Sequence, residues 1–281
     1  MNSLILIGRQ LNQTNGGDNV SDLHRKIGVS RWDGSNFIVD QDCIAIEALV
    51  TVRINGNVVA NLLASPADLE DLAIGHCIAE AKMSEISVDD FIISIDETGA
   101  HFLDISTSDD ISSLKPDERI ITSSCGACDR DGVETLMSTI PIVTTSTVKF
   151  SAIAVNEAIV EMKQRQIGFS ITGGIHAAGL MDGDGKLIAV REDIGRHNAV
   201  DKIFGHAHRN GIDINQHALL LSGRCGWDIV AKSARMNCQL IASIGASSTL
   251  AIESARQSNV TIFSFVRSDK GVLIGQSSRL K

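Results

Sequence analysis

Residues 218–243 read ALLLSGRCGWDIVAKSARMNCQLIAS, and this stretch decides the fold of the C-terminal half. The run from Ala218 to Leu221 is short and wholly apolar, which is typical of a strand buried on both faces. Gly223 interrupts the run, a helix is predicted from about Gly226 to Met236, and a second apolar strand follows at 240–243. This order of strand, helix and strand predicts an α/β unit.

The same alternation extends on both sides of this stretch. Ser151 is predicted to cap a helix, and strands and helices then alternate to the end of the chain. The further elements are a strand at 187–190, a helix at 198–207, a helix at 247–257 and a strand at 260–265. We therefore expect residues 146–281 to form a three-layer α/β domain around a mainly parallel sheet covered by helices on both faces.

The part of the chain before this domain has a different pattern. Val50–Ile54 and 58–60 flank Asn55-Gly56, a pair that suits the two positive-φ positions of a tight hairpin turn. A helix is predicted next, capped by Ser65 and with Pro66 as its first residue, and it should cover the apolar face of the hairpin.

A second strand pair is predicted at 91–96 and 101–106, joined by a glycine-containing turn. We expect residues 36–145 to form a small α+β domain. The Asn-, Gly- and Ser-rich residues 1–35 predict an irregular lead-in.

The composition excludes several classes of protein. The 281 residues carry a formal net charge of −9, which argues against a general affinity for nucleic acid or anionic lipid. No apolar run approaches the ~20 residues that span a bilayer. Six cysteines in a chain of this length do not form a disulfide scaffold, and no signal peptide is recognisable. A cytoplasmic protein without nucleic-acid or membrane partners is predicted.

The segment Cys125-Gly-Ala-Cys128 indicates sulfur chemistry. Two thiols at this spacing fit a redox dithiol, half of a metal site, a persulfide carrier, or two small residues in a turn. The spacing to other histidines and cysteines fits no standard zinc site, so no structural metal is expected. For three other cysteines, which lie in apolar segments, we expect packing roles: Cys43, Cys77 and Cys238. Cys225, beside a predicted helix start, is also expected to pack.

Two glycine- and arginine-containing turns predict an anion site. In the first, Gly195 precedes Arg196 and His197 at the start of a helix, and in the second Gly223 and Arg224 follow a strand. Free amides at a helix start next to a guanidinium bind anions, and ligands of open α/β sheets bind at the carboxyl ends of strands. Asp201 lies one helical turn after His197, so its carboxylate is expected to orient the imidazole. A salt-bridged, purely structural helix start is the alternative.

Several segments resemble, in order and spacing, the formate dehydrogenase accessory sulfurtransferases, the FdhD family. The resemblance runs from about residue 40 to the end, and its most specific segment is DIGRHNAVDK at 193–202. The other segments are ASPADLEDLAIG at 64–75, SSCGAC at 123–128, TGGIHAA at 172–178 and SGR at 222–224.

This resemblance implies a cytoplasmic sulfur carrier. Such a protein accepts persulfide sulfur from a cysteine desulfurase and passes it to molybdenum held by two guanine dinucleotides, Mo-bis(molybdopterin guanine dinucleotide). The cofactor then goes to formate dehydrogenase. The resemblance further implies a homodimer whose second domain is similar to the cytidine deaminase fold without its zinc ligands.

The resemblance also assigns residues. Cys125 matches the persulfide-bearing cysteine, and Cys128 matches its companion, a possible resolving thiol. The cofactor-binding segment of the family matches Phe265, Val266, Arg267, Ser268, Asp269 and Lys270. Ser268 and Asp269 stand where the family often has proline and glycine. Two other classes stay open: a dithiol/disulfide oxidoreductase, and a non-catalytic chaperone that only binds the cofactor.

Overall fold

A computed structural model describes residues 5–7, 22–80, 83, 85–112, 114, 120–121, 137–268 and 270–281. Its helices are α1 (Leu69–Ala79), α2 (Ala152–Gln164), α3 (Ile167–Thr172), α4 (Arg196–Arg209), α5 (Trp227–Arg235) and α6 (Thr249–Gln257). Single 3-10 turns occur at Ile214–Gln216 and Ser277–Arg279. None of the helices in these ranges is both long enough and apolar enough to cross a membrane.

The strands fall into three sheets. The N-terminal strands are β1 (Ile5–Ile7), β2 (His24–Trp32), β3 (Phe37–Ala45), β4 (Ala48–Ile54), β5 (Asn57–Ala64), β6 (Asp90–Ile95), β7 (His101–Ser106) and β8 (Ile120–Ile121). The C-terminal strands are β9 (His176–Met181), β10 (Leu187–Asp193), β11 (Ala218–Leu221), β12 (Leu240–Ser243), β13 (Thr261–Arg267) and β14 (Lys270–Ile274).

The C-terminal sheet is mixed, with the strand order β10-β9-β11-β12-β13-β14. Only β11, β12 and β13 run parallel, whereas the other three pairings are antiparallel. The expectation of a mainly parallel sheet is therefore wrong. Tight turns explain the difference, because a short connection can only join antiparallel strands. One such turn joins β9 to β10, with Gly185 at φ 92°.

Helices cover both faces of this sheet, as the alternation of strands and helices predicts. On one face, Leu219 and Leu221 of β11 pack in a core with residues of α4, α5 and α6. On the other face, Ala218 and Leu220 pack with residues of α2. Successive residues of a strand point to opposite faces, so four apolar residues supply both cores. Ser151 caps α2 as predicted, its hydroxyl accepting a hydrogen bond from Ala154 N.

The N-terminal sheet has the order β1-β6-β7-β4-β5-β8 and carries α1. The predicted hairpin of β4 and β5 is confirmed, with Asn55 at φ 46° and Gly56 at φ 82° in its turn. The predicted pairing of β6 with β7 is confirmed as well. Val50, Val52 and other hairpin residues pack against α1, so the helix covers the apolar face.

Two local expectations differ from the structure. Residues 24–32 form β2, which pairs with β3 over nine residues, although the sequence predicts an irregular lead-in through residue 35. Helix α1 begins at Leu69 and follows Asp68, which has a left-handed backbone at φ 49°, so Ser65 is not its N-cap. The Ser65 hydroxyl instead accepts a hydrogen bond from Ile194 N, because the β10–α4 junction packs against it.

Helices α1 and α4 cross in backbone contact. Gly75 of α1 lies against the carbonyl of Asp201, and Gly205 of α4 lies against the carbonyl of Asp71. A Cβ built on either glycine would fall closer than 3.0 Å to backbone atoms of the other helix. Only glycine permits this close approach of the two helices. The crossing joins the N-terminal sheet to the C-terminal sheet.

Buried ion pairs surround the crossing. Lys202 of α4 is 0% exposed and lies 2.7 Å from the carboxylate of Asp193. Its ammonium also donates to the carbonyls of Ser65 and Glu192 at 3.1 and 3.0 Å. Because every donor has a partner, the desolvated charge is compensated at the junction of β5, β10 and α4.

A second buried cluster lies along the same helices. Lys232 of α5 contacts Asp201 at 2.6 Å and Glu80 at 2.7 Å, and His76 of α1 reaches Asp201 at 3.1 Å. Burial disfavours the charge of Lys232, but the two carboxylates outweigh it and raise the lysine pKa. Burial likewise opposes the charge of Glu80, yet Lys232 and His76 lower the Glu80 pKa to about 2. These charges connect α1, α4 and α5.

Replacing Gly205 with alanine should destabilise the protein. Alanine favours a helix over glycine by about 1 kcal/mol, but its methyl group must displace the α1 backbone, and such overpacking costs about 3 kcal/mol. Denaturant unfolding should therefore show a net loss of about 2 kcal/mol. Gly28→Ala is the matched control, because no atom lies within 4 Å of a Cβ at that position. Equal stability of the two variants would contradict the close crossing.

Lys202→Met should also destabilise the protein, because it leaves the Asp193 carboxylate buried without its cation. Breaking a buried pair costs about 3–5 kcal/mol. Arg165→Met serves as the control, since Arg165 pairs with Glu161 at an exposed site where the expected loss is below about 1 kcal/mol. Urea unfolding curves of both variants measure the difference, and similar losses would show that Lys202 is not held as described.

Candidate functional site

The C-terminal sheet brings the predicted polar segments to one edge. Strands β11, β12 and β13 run parallel, so they end on the same side of the sheet. Strand β9 begins on that side and β10 ends on it, because His176 pairs with Asp193 and Ala178 pairs with Leu221. Helices α4, α5 and α6 start just after the strands that end here. We call this side, which holds His176, Asp193 and Leu221, the site edge.

The turn after β11 is fixed by hydrogen bonds. Ser222 accepts a hydrogen bond at 2.8 Å from the amide of Ala177 in β9. The hydroxyl of Ser243 at the end of β12 donates to the carbonyl of Gly223 at 2.6 Å. Arg224 follows this turn with an exposed side chain. The backbone is therefore held in place, and the guanidinium projects from the site edge.

Arg196, Arg224 and His176 are close enough to influence one another. Burial lowers the pKa of His176 most, the charges of Arg196 and Arg224 lower it further, and Asp193 opposes them. Gly223 lies beside the ring, since a Cβ there would be 3.3 Å from the His176 Nδ1 atom. Within the part of the chain that the structure describes, no ion pair engages either arginine. The two predicted arginine-bearing turns therefore lie together at the site edge.

His197 has a different partner from the one that the sequence predicts. Its Nε2 atom contacts a carboxylate oxygen of Asp228 in the first turn of α5. Asp201, the expected partner, contacts His76 and Lys232 in the buried cluster instead. The prediction that Asp201 orients His197 is therefore wrong. Burial lowers the pKa of His197, and the charge of Asp228 opposes this.

The segment of Phe265 reaches the site edge through an irregularity in β13. Phe265 has φ 55°, a left-handed backbone that is rare for a bulky residue, and its amide donates to the Gly245 carbonyl at 3.3 Å. The register against β14 shifts between Ser264 and Arg267. As a result Val266 is buried at 2% exposure, whereas Phe265 is 45% exposed.

Arg267 and Lys270 form the last pair of β13 with β14, and both are exposed. Ser268 follows Arg267 in the turn between these strands. Asp269 lies outside the described residues, so the prediction for it stays a prediction. The segment thus presents two cations and an aromatic residue where β13 ends and β14 begins.

Cys125 and Cys128 also lie outside the described residues, and their roles stay predictions. The packing of the buried cysteines is confirmed, because Cys77 and Cys238 are 0% exposed and Cys225 is 1% exposed. Cys43 is half-buried. Burial raises the pKa of Cys225 to about 12 and that of Cys238 to about 11. Neither of these two thiols is ionised near neutral pH, so neither is a nucleophile.

Two residues of the site edge are missing from the residues that the sequence predicts for the site. His176 is part of the segment TGGIHAA at 172–178, but its place near Arg224 depends on the β9–β11 pairing. Asp228 carries no signal in the sequence beyond its position at a helix start. Among the residues with described coordinates, no three side chains of the metal-binding types lie together as a metal site would require.

Comparison with known proteins places these features in a family. The sequence profile of the FdhD/NarQ family matches residues 45–281. The sulfur carrier protein FdhD of Cupriavidus necator is 33% identical over 270 residues, which cover 94% of this chain and 93% of that protein. The protein of the same name from Acinetobacter baylyi is 31% identical over 253 residues, covering 89% of this chain and 92% of the relative.

The fold is also that of a solved structure. A crystal structure from Desulfotalea psychrophila, provisionally named a formate dehydrogenase accessory protein, matches with a TM-score of 0.74. The match covers 92% of this chain and all of that one at 19% identity. Because the family profile covers most of the chain and relatives match it nearly end to end, this chain belongs to the FdhD/NarQ family.

Proposed function

We propose that this protein is a sulfur carrier that serves the maturation of formate dehydrogenase. Cys125 accepts persulfide sulfur from a cysteine desulfurase and passes it to Mo-bis(molybdopterin guanine dinucleotide), which then enters formate dehydrogenase. Family membership supports this function, as do the relatives named sulfur carrier proteins. The cofactor is the substrate of the reaction and not a resident group.

The observation that carries the proposal is the pair of arginines at the site edge. Arg196 and Arg224 have no ion-pair partner among the described residues, although the chain as a whole has a net charge of −9. Lys202, a cation in the body of α4, is by contrast neutralised by the buried carboxylate of Asp193. Two uncompensated guanidinium groups beside the starts of α4 and α5 suit a diphosphate, which accepts bidentate hydrogen bonds.

The neighbouring residues suit the rest of a guanine dinucleotide. Gly223 leaves room that a side chain would take, since a Cβ there would approach His176 to 3.3 Å. The half-exposed ring of Phe265 offers a face on which a purine can stack. Arg267 and Lys270 add positive charge, and His197 lies at the start of α4. The strained backbone of Phe265 supports a binding role, because such strain is often kept at functional sites.

The sulfur chemistry is assigned to Cys125. Its thiolate attacks the outer sulfur of the donor persulfide, whose S–S bond breaks as a new S–S bond forms, and the donor leaves as a thiolate. Cys128 then attacks Cys125, releasing the terminal sulfur as hydrosulfide toward the metal and forming a disulfide. A cellular dithiol reduces that disulfide for the next cycle. Cys225 lies at the site edge, directly after Arg224, but its raised pKa, about 12, argues against it as the sulfur carrier.

Mass spectrometry after incubation with a cysteine desulfurase and cysteine tests whether Cys125 carries the sulfur. Wild type should gain about one sulfur atom on Cys125, because the exchange leaves a persulfide on its thiol. Cys125→Ala should lose the gain, and Cys225→Ala is the matched control that should keep it. An equal gain in Cys125→Ala would refute the assignment.

Cysteine variants also separate the sulfur carrier from a dithiol oxidoreductase and from a cofactor-binding chaperone. A dithiol oxidoreductase would reduce insulin disulfides in repeated cycles and would not need a persulfide. A cofactor-binding chaperone would restore formate dehydrogenase activity in an accessory-deleted host even as the double variant Cys125→Ser/Cys128→Ser. The sulfur carrier predicts restoration by wild type and none by Cys125→Ala.

Arg224→Ala should weaken the binding of guanosine diphosphate by about tenfold or more, because a hydrogen bond to a charged group contributes about 1.5–3 kcal/mol. Arg256→Ala is the matched control, since Arg256 is an exposed arginine in the last turn of α6, far from the site edge. Isothermal titration calorimetry measures both affinities. Equal affinities for wild type and Arg224→Ala would exclude the arginine from the binding site.

A further inference from the structure

His176 occupies a central position at the site edge that the proposed function does not use. It is the first residue of β9 and pairs in register with Asp193, the last residue of β10. Its ring lies beside Gly223, within 3.3 Å of where a Cβ would stand. The side chain is half-buried, and no hydrogen bond to its ring is made by any residue that the structure describes. An imidazole whose nitrogens have no described partner therefore lies next to the two arginine-bearing turns.

The charges of three groups act on this ring, each from a different element packed against β9. Arg196 lies at the start of α4, Arg224 in the turn after β11, and Asp193 at the end of β10. Burial and the two arginines lower the pKa of His176, and Asp193 offsets only part of this. Because an ordinary histidine pKa is about 6.5, the ring is neutral at pH 7 in the free protein.

We infer that His176 is a ligand-binding residue, and that it takes up one proton from solvent when a diphosphate binds between Arg196 and Arg224. A neutral imidazole offers one donor, whereas the protonated ring offers two and carries a positive charge. The bound anion therefore gains a third cation at the moment of binding. This inference rests on the proposed function, because it concerns the same anion site.

The direction of the pH dependence follows from the charges. A bound diphosphate offsets the charges of Arg196 and Arg224 and adds negative charge beside the ring, so it raises the pKa of His176. The bound state then holds more protons than the free state, and affinity increases as the pH falls through the bound-state pKa. The gain in affinity levels off once the His176 ring is protonated in the free protein as well. At high pH, where the ring is neutral even in the bound state, His176 adds no charge to the binding site.

The test is calorimetric titration of the full chain with guanosine diphosphate at about pH 6 and pH 8. At pH 6, two buffers of different ionisation enthalpy give the number of protons taken up. The terminal phosphate of the ligand itself titrates near pH 6, as phosphate esters do, so the comparison must be made between variants and not between pH values alone. His176→Gln removes the titrating ring and keeps a polar side chain of similar size.

Between pH 8 and pH 6, wild type should gain about tenfold more affinity than His176→Gln, which corresponds to an average of about half a linked proton over the two pH units. His217→Gln is the matched control, since this histidine lies before β11 at the opposite edge of the sheet, and it should behave as wild type. His176→Arg, which is always charged, should bind at pH 8 more tightly than His176→Gln. Thermal unfolding of each variant shows whether it is folded.

The outcomes separate this inference from the function that it deepens. If His176→Gln shows the same proton uptake and the same pH dependence as wild type, the inference is overturned, although the anion site stands. If wild type binds no guanosine diphosphate at either pH, the anion site of the proposed function fails, and the inference fails with it.

Discussion

The close crossing of α1 and α4 is the constraint on which the rest of the structure depends. Gly75 and Gly205 let the two backbones meet, and no larger residue fits at either position. The crossing is buried together with charges from both halves of the chain, including Asp71, which accepts hydrogen bonds from Arg191 and Arg209. Such charges are tolerated only when all are paired, so the helices have one permitted alignment.

This alignment sets the position of the site edge. Lys202 and Asp193 fix the end of β10 and the body of α4, so the first turn of α4 is held with Arg196 and His197 at the sheet. Lys232 ties α5 to the same cluster, and Asp228 at the other end of α5 contacts His197. The buried, paired charges thus form a rigid scaffold. This scaffold positions cations such as Arg196, which has no ion-pair partner among the described residues. Preorganised cations of this kind can bind an anion without large rearrangement.

Much of the fold could be predicted from local pattern. Strands β11 and β12 have the bounds that their apolar runs predict, and Asn55-Gly56 forms the predicted turn. The sequence does not reveal β9, because HAAGLM is rich in small residues and lacks the β-branched residues typical of strands. This missed strand makes two of the three antiparallel pairings of the sheet, and β14, which the sequence analysis also missed, makes the third. Ser65 looks like a helix cap but is engaged by residues almost 130 positions away.

The sequence by itself determined the family, the alternation of elements and the two arginine-bearing turns. These are properties of residue type, spacing and order along the chain, and periodic burial translates them into local structure. Only the tertiary structure decided which charges of the segment 192–202 are structural and which are free. Lys202 is neutralised by Asp193 near the start of the segment and Asp201 by Lys232 of α5, whereas Arg196 has no ion-pair partner among the described residues. Burial and pairing depend on the contacts of the folded chain, and spacing within one segment does not encode them.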